Sequence, residues 1–197
     1  MSGALRRSEV RLIGGLWKRS KLPVGRVAGL RPTPDRVRVT LFNWLGQDLS
    51  GWRCLDAFAG SGALGFEAGS RGARSVILLE RDPVLAASLE SSRRRLNATP
   101  LRIESVDALI WMARAAEQSF ELVFLDPPYG SELLAPAVGQ AARLVVPEGY
   151  VYVESGQPWP EERWSEWGLT LHRQGQAGEV HFHLLQRSNV VASVPRS

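Results

Sequence analysis

Cysteine, lysine and long apolar runs are all scarce in this chain of 197 residues. The single cysteine, Cys54, excludes an internal disulfide framework and leads to the expectation of a cytoplasmic setting. It falls inside an apolar stretch, where a small core side chain fits better than a nucleophile. No apolar run approaches the roughly 20 residues that span a bilayer, and the opening MSGALRRSEVRLIGG lacks the apolar core of a secretory signal. No membrane association is expected. The three histidines, His172, His181 and His183, have no cysteine or acid pair beside them, so no metal site is expected, and His181 and His183 read as surface-strand residues. Internal repeats and low-complexity segments are also absent, which excludes solenoids and leaves one ordinary globular domain with a small appendage.

What is abundant is arginine, and it is unevenly placed. Residues 1–40 hold ten basic residues against Glu9 and Asp35, a net of +8, so the rest carries −4 of the overall +4. A basic segment on a slightly acidic body suits contact with phosphates, with Arg11, Lys18, Arg19, Arg31, Arg36 and Arg38 as candidate nucleic-acid contacts. Trp17, in the same segment, offers a ring to stack on a base. Trp159, Trp164 and Trp167 lie among Glu161, Glu162 and Glu166, where phosphate is repelled, and are expected to pack over a sheet edge.

Residues 9–30 read as short extended segments broken by Gly14-Gly15, Pro23, Gly25 and Gly29, a β-hairpin. A helix follows, with Thr33 or Asp35 as its cap and Val37, Leu41, Trp44 and Leu45 at helical spacing. From Trp52 onward strands and helices alternate. Strands are expected over 52–58, 75–79, 101–104, 120–125 and 150–154, with helices over 61–71, 82–97, 107–116 and 132–144. Asp82-Pro83 supplies a capping carboxylate and a proline at the first helical position. Segments 169–173 and 179–186 close the chain as an antiparallel pair, and the residues from about 188 read as a tail. The alternation predicts an α/β fold with a mostly parallel sheet.

Two loops carry the chemistry. The first, Asp56-Ala57-Phe58-Ala59-Gly60-Ser61-Gly62-Ala63-Leu64-Gly65, joins the first parallel strand to its helix, where glycines allow close backbone approach to a ligand. Gly60, Gly62 and Gly65 also satisfy the dinucleotide pattern G-x-G-x-x-G. Asp56 argues against that reading, because a carboxylate beside the loop repels a pyrophosphate and suits an ammonium, such as the methionine end of S-adenosylmethionine. Glu80 closes the second strand and can accept both ribose hydroxyls, and Asp107 follows the third strand, where it can accept an adenine amine. The second loop is Asp126-Pro127-Pro128-Tyr129, after the apolar run Phe120–Leu125. Two prolines remove backbone donors and stiffen the turn. That leaves the Asp126 carboxylate and the proline carbonyls as acceptors, and Tyr129 as a stacking ring. Together they describe a clamp for the exocyclic amine of a flat heterocycle.

With both loops placed, the chain resembles class I S-adenosylmethionine-dependent methyltransferases, and more narrowly the RsmD family of bacterial 16S ribosomal RNA guanine-N2 methyltransferases. The resemblance rests on Ile13-Gly14-Gly15-x-Trp17, Leu30–Arg38 (LRPTPDRVR), Thr40–Leu45 (TLFNWL), Leu55–Glu67 (LDAFAGSGALGFE), Ser70–Ala73, Asp126–Tyr129 and Gly178–Arg187 (GEVHFHLLQR). It implies a Rossmann-like sheet of seven strands in the order 3-2-1-4-5-7-6, with a basic N-terminal hairpin extension (residues 1–30) ahead of a methyltransferase domain (31–187). It further implies that S-adenosylmethionine is held by Asp56, Phe58, Gly60, Gly62, Glu80, Arg81, Asp107, the Ala108 backbone and Thr33. The implied partner is 16S rRNA, within a small-subunit particle or assembly intermediate, for a monomeric enzyme. Two departures stand out: Val39 where the family often has Glu, and Lys18-Arg19-Ser20 where it commonly has Arg-Gly-Arg. The competing readings are a DNA adenine-N6 methyltransferase, an NAD-dependent oxidoreductase and a noncatalytic RNA-binding assembly factor.

Overall fold

The computed structural model describes residues 9–25, 33–128 and 130–189. Two short strands, β1 (Glu9–Arg11) and β2 (Lys21–Pro23), pair antiparallel with Val10 opposite Leu22. Helix α1 (Asp35–Trp44) leads into the alternating series: β3 (Arg53–Asp56), α2 (Ala63–Ser70), β4 (Ser75–Leu79), α3 (Pro83–Arg95) and β5 (Leu101–Glu104). Then come α4 (Ala108–Arg114), β6 (Phe120–Leu125), α5 (Leu134–Leu144), β7 (Val145–Ser155), α6 (Glu161–Ser165), β8 (Leu169–Ala177) and β9 (Val180–Arg187). The main sheet runs β5-β4-β3-β6-β7-β9-β8. Counting strands within that sheet only, the order is the expected 3-2-1-4-5-7-6, parallel from β5 to β7 and antiparallel at β9 and β8.

The sheet is covered on both faces, as parallel sheets must be. One core layer contains Leu41, Phe42, Leu64, Phe66, Leu78, Phe124 and Tyr152; the other contains Leu55, Leu79, Val123, Val138, Val153 and Trp164. Leu12, Trp17 and Leu22 belong to the first layer, so the hairpin segment docks on the same core as the sheet.

Several local rules operate as the residues dictate. Asp82 caps α3 by accepting from the backbone N–H groups of Val84 and Leu85, with Pro83 at the first position. Arg93 and Arg94 pair with Glu90 one turn back, and Arg95 donates to the Lys21 carbonyl. Trp164 is fully buried and stacks on Trp159 in the tryptophan cluster beside the β8–β9 end of the sheet.

Other boundaries shift for identifiable reasons. Helix α1 has no side-chain cap, because Thr33 turns to Asp126 and Asp35 is paired to Arg38. Strand β7 begins at Val145, five residues earlier than the sequence indicates, with a register shift opposite Phe120/Leu122 that accommodates Pro147-Glu148-Gly149. His183 is not a surface-strand residue: it is 3% exposed, opposite Val153 and against Trp164, and burial lowers its pKa to about 4. Of the expected tail from about residue 188, Ser188 still donates to the Gly168 carbonyl, and the residues from 190 lie outside the described residues.

Candidate active site

The carboxyl ends of the three central strands bring three acids to one place. Asp56 pairs with Phe124 across β3 and β6, and Leu125 pairs with Val153 across β6 and β7. Side chains alternate between faces along a strand and match across a parallel register. Asp56, Phe124, Tyr152 and Glu154 therefore share a face, and Asp126, one residue past β6, continues that alternation level with Glu154. Asp56 and Glu154 are 2% and 3% exposed, whereas Asp126 keeps partial contact with solvent. Thr33, buried just before α1, donates to Asp126 Oδ2 at 3.4 Å. The Tyr152 hydroxyl donates to Glu154 Oε1 at 2.9 Å.

Crowding these carboxyls away from water raises their pKa values. Burial pushes Asp56 up to about 7, against the pull of the Gly65 N–H, with Glu80 and Glu154 adding repulsion. Burial likewise brings Glu154 up to about 7, while the Tyr152 and Thr33 hydroxyls and the Arg38 guanidinium pull the other way. Asp126 is raised well above the usual carboxylate range, by lost hydration first and then by the charges of Glu154 and Asp56. Three acids held at such cost form a cluster whose electrostatics favour a positively charged ligand, and such clusters mark functional sites.

The loop after β3 is built around two of the predicted acids. Asp56 Oδ2 accepts the Gly65 N–H at 2.9 Å, which ties the strand end to the first turn of α2. Glu80 accepts from Gly60 N–H at 2.9 Å and from Asp82 N–H at 2.8 Å, so it holds the glycine turn against the end of β4. Gly62 adopts φ +80° at the start of α2, and a Cβ there would sit 2.6 Å from Leu89 Cδ2. Only glycine satisfies both conditions. Asp107 caps α4 by accepting from Ile110 N–H at 3.1 Å, with Ala108 as the first helical residue. Phe58 packs partly buried on the second core layer, and Arg81 is exposed. The donor set, an acid cluster beside a glycine turn, suits S-adenosylmethionine, whose ammonium and sulfonium are cations and whose ribose needs acceptors.

Pro127 is buried and Pro128 exposed; the Pro128 carbonyl accepts from Ser131 N–H and Oγ–H at 3.2 and 2.6 Å, which closes the loop. Tyr129 and Arg31 lie outside the described residues. Two of the expected nucleic-acid contacts are corrected. Arg38 is 0% exposed: its guanidinium meets Glu67 at 3.4 Å, Asp35 at 2.6 Å and the Arg11 carbonyl at 2.9 Å, so it binds the fold together from inside. Trp17 is buried edge-on against Phe66 and beside Gly69, which leaves it no face for a base. Arg11, Lys18, Arg19 and Arg36 are exposed. The turn holding Lys18 and Arg19 is pinned to Ser70, at the far end of α2 from Gly62. An eight-residue helix puts about 12 Å along its axis between the two ends.

Glu154, Tyr152 and Glu67 were not singled out from the sequence. Glu154 carried one faint signal, an acid at the carboxyl end of a strand like Asp56 and Glu80. Glu67 accepts from Ile13 N–H at 2.9 Å, Gly14 N–H at 2.8 Å, Arg38 and Arg71, a buried hub that no local pattern announces.

Comparison with known proteins points the same way. The family model described as Conserved hypothetical protein 95 matches residues 10–186. The chain is 40% identical to "Ribosomal RNA small subunit methyltransferase D" of Escherichia coli K12 over 185 residues, 91% of this chain and 90% of that one. It is 39% identical to the Haemophilus influenzae protein of the same name, covering 91% and 95%. Among solved structures, yhhF from Escherichia coli, described as a candidate methyltransferase, superposes with a TM-score of 0.78 at 38% identity, covering 92% of this chain and 99% of that one.

Proposed function

The chain belongs to the RsmD family, the one described as Conserved hypothetical protein 95, and on that premise we propose that it methylates ribosomal RNA, moving a methyl group from S-adenosylmethionine to the exocyclic N2 of a guanine in 16S rRNA. The observation that carries this reading is the position of Asp126: a half-buried acceptor on a proline-stiffened loop, beside the acid-lined glycine turn. The substrate is 16S rRNA in a small-subunit particle or assembly intermediate, met by a monomer.

S-adenosylmethionine supplies an electrophilic methyl group when bound. The chain's own residues do the rest. In this reading Asp56 holds the ammonium of the methionine end and Glu80 the ribose hydroxyls, which their carboxylates beside the glycine turn support. Asp107 and the Ala108 backbone serve the adenine, Phe58 packs beside it, and Gly60 and Gly62 let the backbone come close. A guanine amine is a weak nucleophile because its lone pair is delocalised into the ring. Asp126 and the Pro127 carbonyl accept its two N–H groups, orient the lone pair and stabilise the positive charge that develops on nitrogen. Tyr129 stacks on the base, which has to be unpaired or flipped out at a cost of a few kcal/mol. Arg11, Lys18, Arg19, Arg31 and Arg36 contact phosphates.

The test is incubation of the purified protein with tritiated S-adenosylmethionine and undermethylated small-subunit particles, followed by nucleoside mass spectrometry. N2-methylguanosine is expected, and Asp126→Ala should reduce its formation at least 100-fold. Label in another nucleoside, or wild-type rates for Asp126→Ala, would sink the assignment.

A further inference from the structure

Between the turn of the hairpin segment and the outer face of α1 lies a pocket of about 370 Å³ to which the proposed chemistry assigns no task. Its size is that of a small-ligand site. Gly14, Gly15 and Lys18 line it on one side; Val39, Asn43 and Gln47 line it from α1 and the turn that follows. The guanidinium of Arg71, a residue only 8% exposed, lies at its base. Among the described residues no acid lines it.

The base of the pocket is rigid, and it aims the side chains above it. The Arg71 guanidinium sits 4.7 Å over the Phe42 ring, and a Cβ on Gly14 would lie 2.4 Å from its Nη2. Glu67 accepts from Arg71 Nε at 2.9 Å and meets Nη2 at 2.8 Å. Arg71 Nη1 donates to Gln47 Oε1, and Gln47 Nε2 donates in turn to Asn43 Oδ1. Each bond fixes the orientation of the next, so a buried ion pair directs two surface amides. Gln47 is held at φ +69°, in the left-handed region that residues other than glycine seldom occupy. Such strain is kept where the surroundings impose it, and it clusters at functional sites.

What this chain of bonds leaves over is a set of donors. Asn43 Nδ2 and the Gly15 N–H meet no acceptor among the described residues, and Lys18 Nζ meets no carboxylate. Val39, 39% exposed, and Ile13 add apolar surface. The matching ligand is anionic at one end and flat at the other, with acceptors on its edge. A nucleotide has all three properties: a phosphate for Lys18, base-edge acceptors for Asn43, and a ring to lie against Val39 and Ile13. A path to the pocket runs along α1. Arg36, Val39 and Asn43 recur at i, i+3 and i+7, so they form one exposed stripe. The stripe starts three residues from Thr33, which bonds Asp126, and reaches Asn43 about 10 Å farther along the helix axis.

We propose that this pocket holds one nucleotide of the substrate RNA, a few positions along the strand from the guanine presented to Asp126. This inference rests on the RNA-methylation reading above. Phosphate contacts set register without reading sequence. A pocket that also grips a base helps to select which guanine enters the site.

The experiment puts a charge on the stripe. Val39→Glu replaces an exposed helical residue with a good helix former and adds a carboxylate to the pocket wall. It should raise KM for undermethylated small-subunit particles at least 10-fold, with the smaller change in kcat. Its melting temperature should stay within a few degrees of wild type. In parallel, the side-chain amide 1H–15N signals of Asn43 and Gln47 are followed in the full-length wild-type protein. A short single-stranded RNA should shift both amides, and inorganic phosphate at matched ionic strength should shift neither. Unchanged KM for Val39→Glu overturns the proposal. So do amides that stay still while RNA moves other signals, and so do equal shifts with phosphate, which would mean an anion contact only. The two readings fail separately. A wild-type protein that makes no N2-methylguanosine but shows RNA-specific shifts at these amides would sink the reaction assignment and keep the pocket. Normal N2-methylguanosine with unmoved amides and unchanged KM would do the reverse.

Discussion

Thr33 Oγ1 donates to Asp126 Oδ2 across 93 positions of sequence, so the residue that precedes α1 also orients the acceptor at the end of β6. The bond is long, 3.4 Å, and belongs to a side chain only 5% exposed. The segment before α1 and the loop after β6 are thereby registered against each other at the point where the substrate amine is to be held. Small errors in such a place are costly in rate rather than in stability, because a reacting group misplaced by about 1 Å can lose about 100-fold.

Replacing Thr33 with Val keeps the volume and β-branching and removes the hydroxyl. The expected outcome is a fall in kcat of at least 10-fold with a melting temperature within a few degrees of wild type. Single-turnover methyl transfer and thermal unfolding on the same preparation check it. A large fall in melting temperature with unchanged kcat would assign Thr33 to packing alone.

A second hub lies beneath the hairpin segment. Glu67, 0% exposed, accepts from the backbone of Ile13 and Gly14 and from the guanidinium groups of Arg38 and Arg71; Arg71 is held in turn by Gln47. Glu67→Gln keeps the shape but removes the carboxylate that the two buried arginines share; Asp35 still faces Arg38, whereas Arg71 loses the acid it pairs with, and leaving buried charge unpaired costs about 3–5 kcal/mol. Urea unfolding should register a loss of that size. Limited proteolysis should cut within residues 9–25 faster than in the wild type, since one of the two backbone N–H groups bonded to Glu67 then faces an amide NH2 in place of an acceptor. Gly15→Ala should act in the same direction, because the glycine has φ +72° and a Cβ there would lie 1.8 Å from the Ser70 carbonyl oxygen.

These hubs explain what the sequence could and could not disclose. The order of the main sheet was readable because apolar runs alternate with capped helices, and Asp82-Pro83 marks a helix start with no help from the rest of the chain. The Asp126 loop stands out in the sequence because two prolines directly follow a buried strand, and the structure puts its carboxylate near Asp56 and Thr33. Arg38 was misread because, in sequence, it is one more arginine in a basic stretch. Its burial is decided by Glu67, 29 positions away. Trp17 was misread for the same reason, its ring being claimed by Phe66. Glu154 ends a strand as many surface acids do, and only the register of β6 against β7 sets it level with Asp126.

The buried acids give the protein an unusual response to pH. Asp56 holds its proton up to about 7 in the folded chain against an ordinary 3.8, and Glu154 up to about 7 against 4.5. The folded state therefore binds more protons than the unfolded one between those limits, so stability rises as pH falls through 7 and the penalty disappears below about 4. Without ligand, the melting temperature should be higher at pH 6 than at pH 8, and Asp56→Asn should flatten the difference. Calorimetry of S-adenosylmethionine binding at pH 7 in buffers of different ionisation enthalpy should show proton release, since a cation beside these carboxyls favours their charged forms. Proton uptake, or a melting temperature that climbs steadily to pH 8, would contradict the assignment.

The exposed basic residues act at a distance from the chemistry. Lys18 and Arg19 stand on the turn pinned at Ser70, about one α2 length from the glycine turn at Gly62, and they are expected to meet phosphates and not the base held at Asp126. Their role in RNA binding is then electrostatic and uniform. Phosphate contacts of this kind make the logarithm of affinity fall linearly with the logarithm of salt concentration, by roughly one unit of slope per contact. The double change Lys18→Glu with Arg19→Glu should raise KM for the ribosomal substrate at least 10-fold and leave kcat within about 2-fold. It should also reduce the salt slope by roughly two. Arg36→Glu, at the start of α1 and three residues from Thr33, should depress kcat as well, because that residue lies beside the segment that orients Asp126. Equal losses in kcat from both variants would mean that the turn reaches the reacting base, against the separation fixed by α2.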